Sequence, residues 1–167
     1  MYDAELLNKI GRYLTGHKES LSVAESVTSG QLQAAFSLAE NSSIFFQGGI
    51  TAYNIQQKYR HLHIDPLHAI SCNCISEQIA CEMATNVGKL FLSEWGIGIT
   101  GYAATMPEVG MDELFAYYAI VYKGNVKRSG LIKSDMQPIP DVQHFYVDEI
   151  LKEMEQVCRI SLLVEQS

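Results

Sequence analysis

The chain has little cysteine, little positive charge and no long apolar run, and each shortage closes off a class of protein. Its four cysteines, Cys72, Cys74, Cys81 and Cys158, form no CxxC pair and no disulfide framework. A reduced, cytoplasmic setting is therefore expected. Lysine and arginine number 12 against 19 aspartates and glutamates, a formal charge of −7. A broad phosphate-binding face needs clustered cations, so no nucleic-acid partner is expected. The nearest group, Lys123, Lys127, Arg128 and Lys133, is spread along a hairpin pattern and reads as solvated strand positions. The longest apolar stretch, LFAYYAIVY, is far too short to span a bilayer, so no membrane partner is expected. The opening MYDAELLNKI has an early acid and no sustained apolar core, so no secretory leader is expected. No repeat, low-complexity tract or linker interrupts the pattern, and residues 1–167 read as a single domain.

The remaining sequence alternates between helical and strand periods. Leu6, Leu7, Ile10 and Leu14 predict a first helix, with Asp3 as its cap and Gly16 as its stop. LSVAE predicts a buried strand, and SGQLQAAFSLAE a helix with Leu32, Ala35, Phe36 and Ala39 inward. FFQGGITAY predicts a second strand, whose Gly48 and Gly49 mark a bulge or a close backbone approach. From Ser76, the spacing of Ile79, Ala80, Met83, Val87 and Leu90 predicts another helix. WGIGITG predicts a strand, and ELFAYYAIVY and VKRSGLIK a hairpin across KGN. A last helix opens at Pro140–Asp141 and carries Val142, Phe145, Ile150, Met154 and Val157 on one side. This order predicts an α/β fold with a mixed sheet.

Ser26 falls at the C-terminal end of the first strand, where α/β folds keep their sites. Free backbone N–H groups at the next helix could hold a developing oxyanion there. Ser26, Thr28 and Ser29 could equally be caps for that helix. A nucleophile also needs a base, and none of the five histidines sits in a triad motif. Lys58 can serve if desolvation lowers its pKa, although spacing alone does not join it to Ser26. His61, His63, Asp65, His68, Cys72 and Cys74 are zinc-ligand types without the spacing of a zinc site, and Pro66 suggests a loop and a short strand. No metal is expected. The tyrosines of FAYYAIVY could stack on bases, but alternation in a sheet assigns them to core and interface packing.

Four segments carry a resemblance: AESVTSGQLQAAFS, NSSIFFQGGITAYNIQQK, HAISCNCISEQIACEMA and GIGITGYA. In order and spacing they resemble the CinA C-terminal-domain family, whose members are commonly nicotinamide-nucleotide amidases. The resemblance implies a small three-layer α/β/α domain, often dimeric, with no cofactor and no metal. It implies Ser26 as nucleophile and Lys58 as base, with Tyr53 beside them. Thr28, Gly30, Asn54, Thr100 and Gly101 fall at its substrate-binding positions. The partners it implies are a small-molecule amide or nucleotide and a second copy of the chain. The aromatic content of FFQGG and FAYYAIVY agrees with an apolar homodimer contact.

The departures are specific. The family's TGG is here TSG, which puts Ser29 where backbone should approach the substrate. Its glycine-rich loop is here TGYAATMPEVGMDELF, which brings in Glu108, Asp112 and Glu113. Its GDRxxVR segment is here PDVQHFYVDE, with Asp141 retained and neither arginine. A bidentate arginine–phosphate contact is worth about 1.5–3 kcal/mol. The motifs therefore carry two readings. One is an amidase that hydrolyses the amide of nicotinamide mononucleotide, or of a less acidic analogue. The other is a catalytically degenerate paralogue that binds a small molecule or a protein.

Overall fold

Strand β1 (Leu21–Glu25) lies between two parallel neighbours, β2 (Phe46–Thr51) and β3 (Trp95–Gly101), in a computed structural model that describes residues 1–165. Strand β4 (Leu114–Tyr122) pairs antiparallel with β3, and β5 (Asn125–Ser134) antiparallel with β4. The spatial order is β2-β1-β3-β4-β5, the mixed sheet that the sequence pattern predicts. The hairpin turns on Lys123 and Gly124, both at positive φ, which matches the right-handed twist of the flanking strands.

Alternation along the strands builds two faces. Leu21, Val23, Ile97, Ile99 and Ile120 point toward α1 (Ala4–His17), α2 (Gln31–Ser37), α3 (Ser42–Phe45) and α7 (Ile139–Glu165). Ala24, Ala119 and Val121 point to the other side, which is covered by α4 (Ile55–Leu62), α5 (Pro66–Ser71) and α6 (Glu77–Phe91). The result is three layers, α/β/α. The first face is a thick aliphatic and aromatic core. The second is thin, because Gly96 and Gly98 of β3 meet the backbone of α6 directly. A Cβ on Gly98 would come within 2.6 Å of Ala84 N and 3.0 Å of Met83 Cβ.

Several local expectations are corrected. Helix α1 runs through Gly16 to His17 and stops on Lys18, which takes the left-handed cap conformation with φ 57°. The segment after Asp65 is the helix α5 rather than a loop and short strand: Asp65 Oδ1 accepts from Leu67 N at 3.0 Å, and Pro66 fits the first turn. Leu90 is 50% exposed, off the buried stripe of α6. Both readings of the β2 glycines hold: the register slips by one residue beside Gly48, and Gly49 passes close to Val23 of β1. In the two aromatic stretches, Phe45, Tyr118, Ile120 and Val121 lie in this chain's own core. Among the described residues no helix is long and apolar enough to cross a membrane.

Two glycines should respond oppositely to alanine. Gly98→Ala forces β3 from α6 and should cost about 1–3 kcal/mol as overpacking, about 2–4 °C of Tm per kcal/mol. Gly16→Ala, in a helix with open space at its Cβ, should gain about 0.5–1 kcal/mol. Thermal unfolding of both variants checks this, and a Gly98→Ala protein with unchanged Tm would contradict the packing described.

Candidate active site

Glu25, the last residue of β1, is fully buried. Its carboxylate accepts from Thr28 Oγ1 at 2.6 Å and from three backbone N–H groups of α2 and its lead-in: Gly30 at 3.1 Å, Leu32 at 3.0 Å and Gln33 at 2.8 Å. This corrects two expectations. The N-cap of α2 is Gly30, without a side-chain cap, so Ser26, Thr28 and Ser29 do not cap the helix. The helix N–H groups expected to hold an oxyanion are already bonded to Glu25. Thr28 and Gly30 accordingly lie outside the lining of the cleft. Ser29 is exposed and also outside it, with φ 52°. The cost of serine at the glycine position falls on the backbone rather than on substrate approach.

Ser26 lies at the floor of a cleft of about 630 Å³ at the C-terminal ends of β1 and β3. Its N–H is held by Ile99 O at 3.1 Å. Helix α4, capped by Asn54 Oδ1 accepting from Gln57 N at 3.0 Å, carries Lys58 on its inward side. Lys58 is 1% exposed, and its Nζ donates to Ser26 Oγ at 2.9 Å and to Ala52 O at 2.9 Å. Burial pushes the Lys58 ammonium below the ordinary lysine range, and only the neighbouring Cys74 opposes it. Burial also raises the Cys74 thiol, so it carries no charge near neutral pH and the opposition is weak. Once deprotonated, Lys58 can keep one N–H on Ala52 O and turn its lone pair to the Ser26 hydroxyl. That is the arrangement of a base and its nucleophile.

The other expected residues are placed as follows. Tyr53 and Asn54 line the cleft with Ser26 and Lys58, and Tyr53 is 69% exposed. Thr100 and Gly101 line the opposite wall. Thr100 Oγ1 is committed to Cys74 O at 2.8 Å, and Gly101 packs closely on Ala116 of β4. Sequence reasoning missed Asn73, Tyr102 and Gln143, which also line the cleft. Asn73 Nδ2 donates to the Tyr102 hydroxyl at 2.7 Å, and Gln143 Nε2 donates to Val27 O at 2.8 Å. The loop acids Glu108, Asp112 and Glu113 do not line it, and Glu113 is paired with Lys133 at 2.8 Å. Among the described residues the lining holds no aspartate, glutamate, histidine or arginine, and Lys58 is its only cationic type. The zinc-ligand types around Cys72 do not gather, among the described residues, into a group able to hold a metal.

A model of the CinA C-terminal domain matches residues 3–114. A CinA-like protein of Picosynechococcus sp. is 40% identical over 94 residues, covering 56% of this chain and 22% of that protein. A CinA-like protein of Trichodesmium erythraeum is 32% identical over 132 residues, covering 79% and 30%. The chain thus spans less than a third of the length of these relatives. Among solved structures, a CinA superfamily protein of Klebsiella pneumoniae superposes with a TM-score of 0.86 at 22% identity, covering 93% of this chain and 97% of that one. An Escherichia coli member gives 0.83 at 25% identity, covering 92% and 89%.

The buried amine makes a stability prediction with a definite sign. Between its depressed pKa and the ordinary 10.5, Lys58 is protonated in the unfolded chain and neutral in the folded one. The unfolded state then binds more protons, so stability rises with pH through that window. In Lys58→Met that part of the rise should vanish. Urea midpoints of both proteins at about pH 7 and about pH 9.5 measure it. Identical pH slopes would show that the folded amine titrates normally.

Proposed function

The chain belongs to the CinA C-terminal domain family, and from that premise we propose that it is a serine-type amidohydrolase of small amides of the nicotinamide class. The 2.9 Å contact between a buried Lys58 Nζ and Ser26 Oγ at the floor of the cleft carries the reading. Neutral Lys58 takes the hydroxyl proton as Ser26 Oγ bonds to the amide carbon. The tetrahedral intermediate then loses ammonia, the C–N bond breaking as Lys58 returns the proton to nitrogen. Water, deprotonated by the same amine, cleaves the ester and frees the carboxylate and Ser26. No cofactor is required. Tyr53, largely exposed, suits stacking on a flat heteroaromatic ring better than proton transfer.

The oxyanion needs N–H donors that are not already engaged. Among the described residues the N–H of Val27, which lines the cleft and directly follows the nucleophile, has no hydrogen-bond partner. The lining also shapes the substrate. Ile70, Ile75, Met106 and Ile139 make it largely apolar, and among the described residues it holds no arginine to grip a phosphate. The amide end of nicotinamide mononucleotide suits the site better than its phosphate end.

Two measurements test this. Ser26→Ala and Lys58→Ala should each remove most ammonia release over a panel of pyridine amides, and the double variant little more, because the pair acts as a unit. Full activity in Ser26→Ala would sink the proposal, and no turnover of any amide by the wild type would favour a non-catalytic binding protein. By calorimetry at low salt, nicotinamide mononucleotide should bind no better than its riboside. A tenfold preference for the nucleotide, about 1.4 kcal/mol, would show a phosphate contact from outside the described lining.

A further inference from the structure

Two side chains in the cleft lining are bonded to each other: Asn73 Nδ2 donates to the Tyr102 hydroxyl at 2.7 Å. Both are held from behind. Tyr102 donates its N–H to Phe115 O at 2.8 Å, and its carbonyl accepts from the hydroxyl of the buried Tyr146 at 2.8 Å. Its ring packs edge-on against Phe115, with centroids 5.6 Å apart. Asn73 follows α5 in a left-handed turn, at φ 50°. The next residue is fixed twice, Cys74 N donating to Ala69 O at 2.7 Å and Thr100 Oγ1 to Cys74 O at 2.8 Å. The pair is built before any ligand arrives.

Accepting from Asn73 leaves the Tyr102 O–H to donate elsewhere. Among the described residues neither that O–H nor Asn73 Oδ1 has a partner. The pair thus offers one donor beside one acceptor in a lining that is otherwise largely apolar. A phosphate needs donors alone, and the asparagine carbonyl would oppose it. A hydroxyl both donates and accepts, so it satisfies such a pair. Register gives the reach. Glu25 is level with Ile99 across the parallel ladder, which puts Ser26 level with Thr100 and Tyr102 two residues further out. That is about 6–7 Å along the strand direction, too far for an amide group seated on Ser26 but within reach of a substituent across its ring. Resting on the hydrolase reading above, we propose that Asn73 and Tyr102 form a subsite for the hydroxyls of an uncharged, sugar-like substituent. The site then selects pyridine amides glycosylated at the ring nitrogen over bare ones.

The test compares nicotinamide riboside with 1-methylnicotinamide, which has the same amide and the same ring charge but no hydroxyls. Calorimetry on the Ser26→Ala protein reads binding without turnover. Two net hydrogen bonds should make the riboside bind about tenfold tighter or more. Two further substitutions are then made in that protein. Tyr102→Phe keeps the ring packing on Phe115, and Asn73→Gly suits the left-handed turn. Each should bring the preference to within about threefold, and the double substitution should lower it little further, because the side chains act as a pair. They lie in different loops, so a fold failure in one leaves the other to decide. Equal or undetectable binding of the two ligands by the Ser26→Ala protein overturns the proposal, as does a preference that either folded variant retains in full. Ammonia release is measured separately on wild type. Its absence with both ligands would overturn the hydrolase reading, while the binding preference still decides the subsite.

Discussion

A carboxylate sealed from water must find its donors inside the protein, and the whole cleft is arranged around how Glu25 does so. Leaving it unpaired would cost several kcal/mol. Wrapping the start of α2 around it supplies a hydroxyl and three backbone N–H groups. That wrapping forces the chain through Ser29 and Gly30 at positive φ and ties α2 to the end of β1. It also decides what Ser26 is free to do. Relieved of capping, the serine side chain accepts from the amine of Lys58.

Lys58 costs the fold something in return. Moving an ammonium out of water is unfavourable, and burial lowers the amine's pKa with no acid paired to it in the cleft lining among the described residues. A methionine-like residue would fill the same space without that penalty. Retention of a buried amine against a serine is the kind of local disadvantage expected where stability and chemistry compete. The wall beside it is strained too: Asn73 and Cys74 both take left-handed backbone conformations, held by Ala69 O on one side and Thr100 on the other.

The framework was legible where period and burial agree. The β1 and β3 strands, the α6 stripe, the KGN hairpin and the inward face of α7 follow from local pattern. Helix α5 was missed although its signals were present, an aspartate cap followed by proline, because proline after a histidine-rich stretch invited a loop. Gly16 misled because a helix can end on a left-handed lysine instead. Ser26 and Lys58 entered through motif resemblance, since a separation of 32 residues carries no geometric information until β2 and α4 fold back. Asn73 and Tyr102 lie in segments that carry the resemblance without being marked by it, and Gln143 in the segment that lacks the family's arginines. Their proximity arises only where α5, β3 and α7 converge, and Glu25 looked like the polar end of an apolar strand.

The absence of acids and arginines from the cleft lining also governs how a ligand arrives. A site lined with one sign of charge focuses its field into solvent and speeds encounter, and this one has no such beacon. What an approaching molecule feels at long range is the rest of the surface, with its formal charge of −7. That field slows anions and is damped over about 8 Å at physiological ionic strength. Encounter with neutral ligands is then unsteered and indifferent to salt. Anionic ones gain as salt rises, the reverse of the behaviour of a phosphate-gripping pocket.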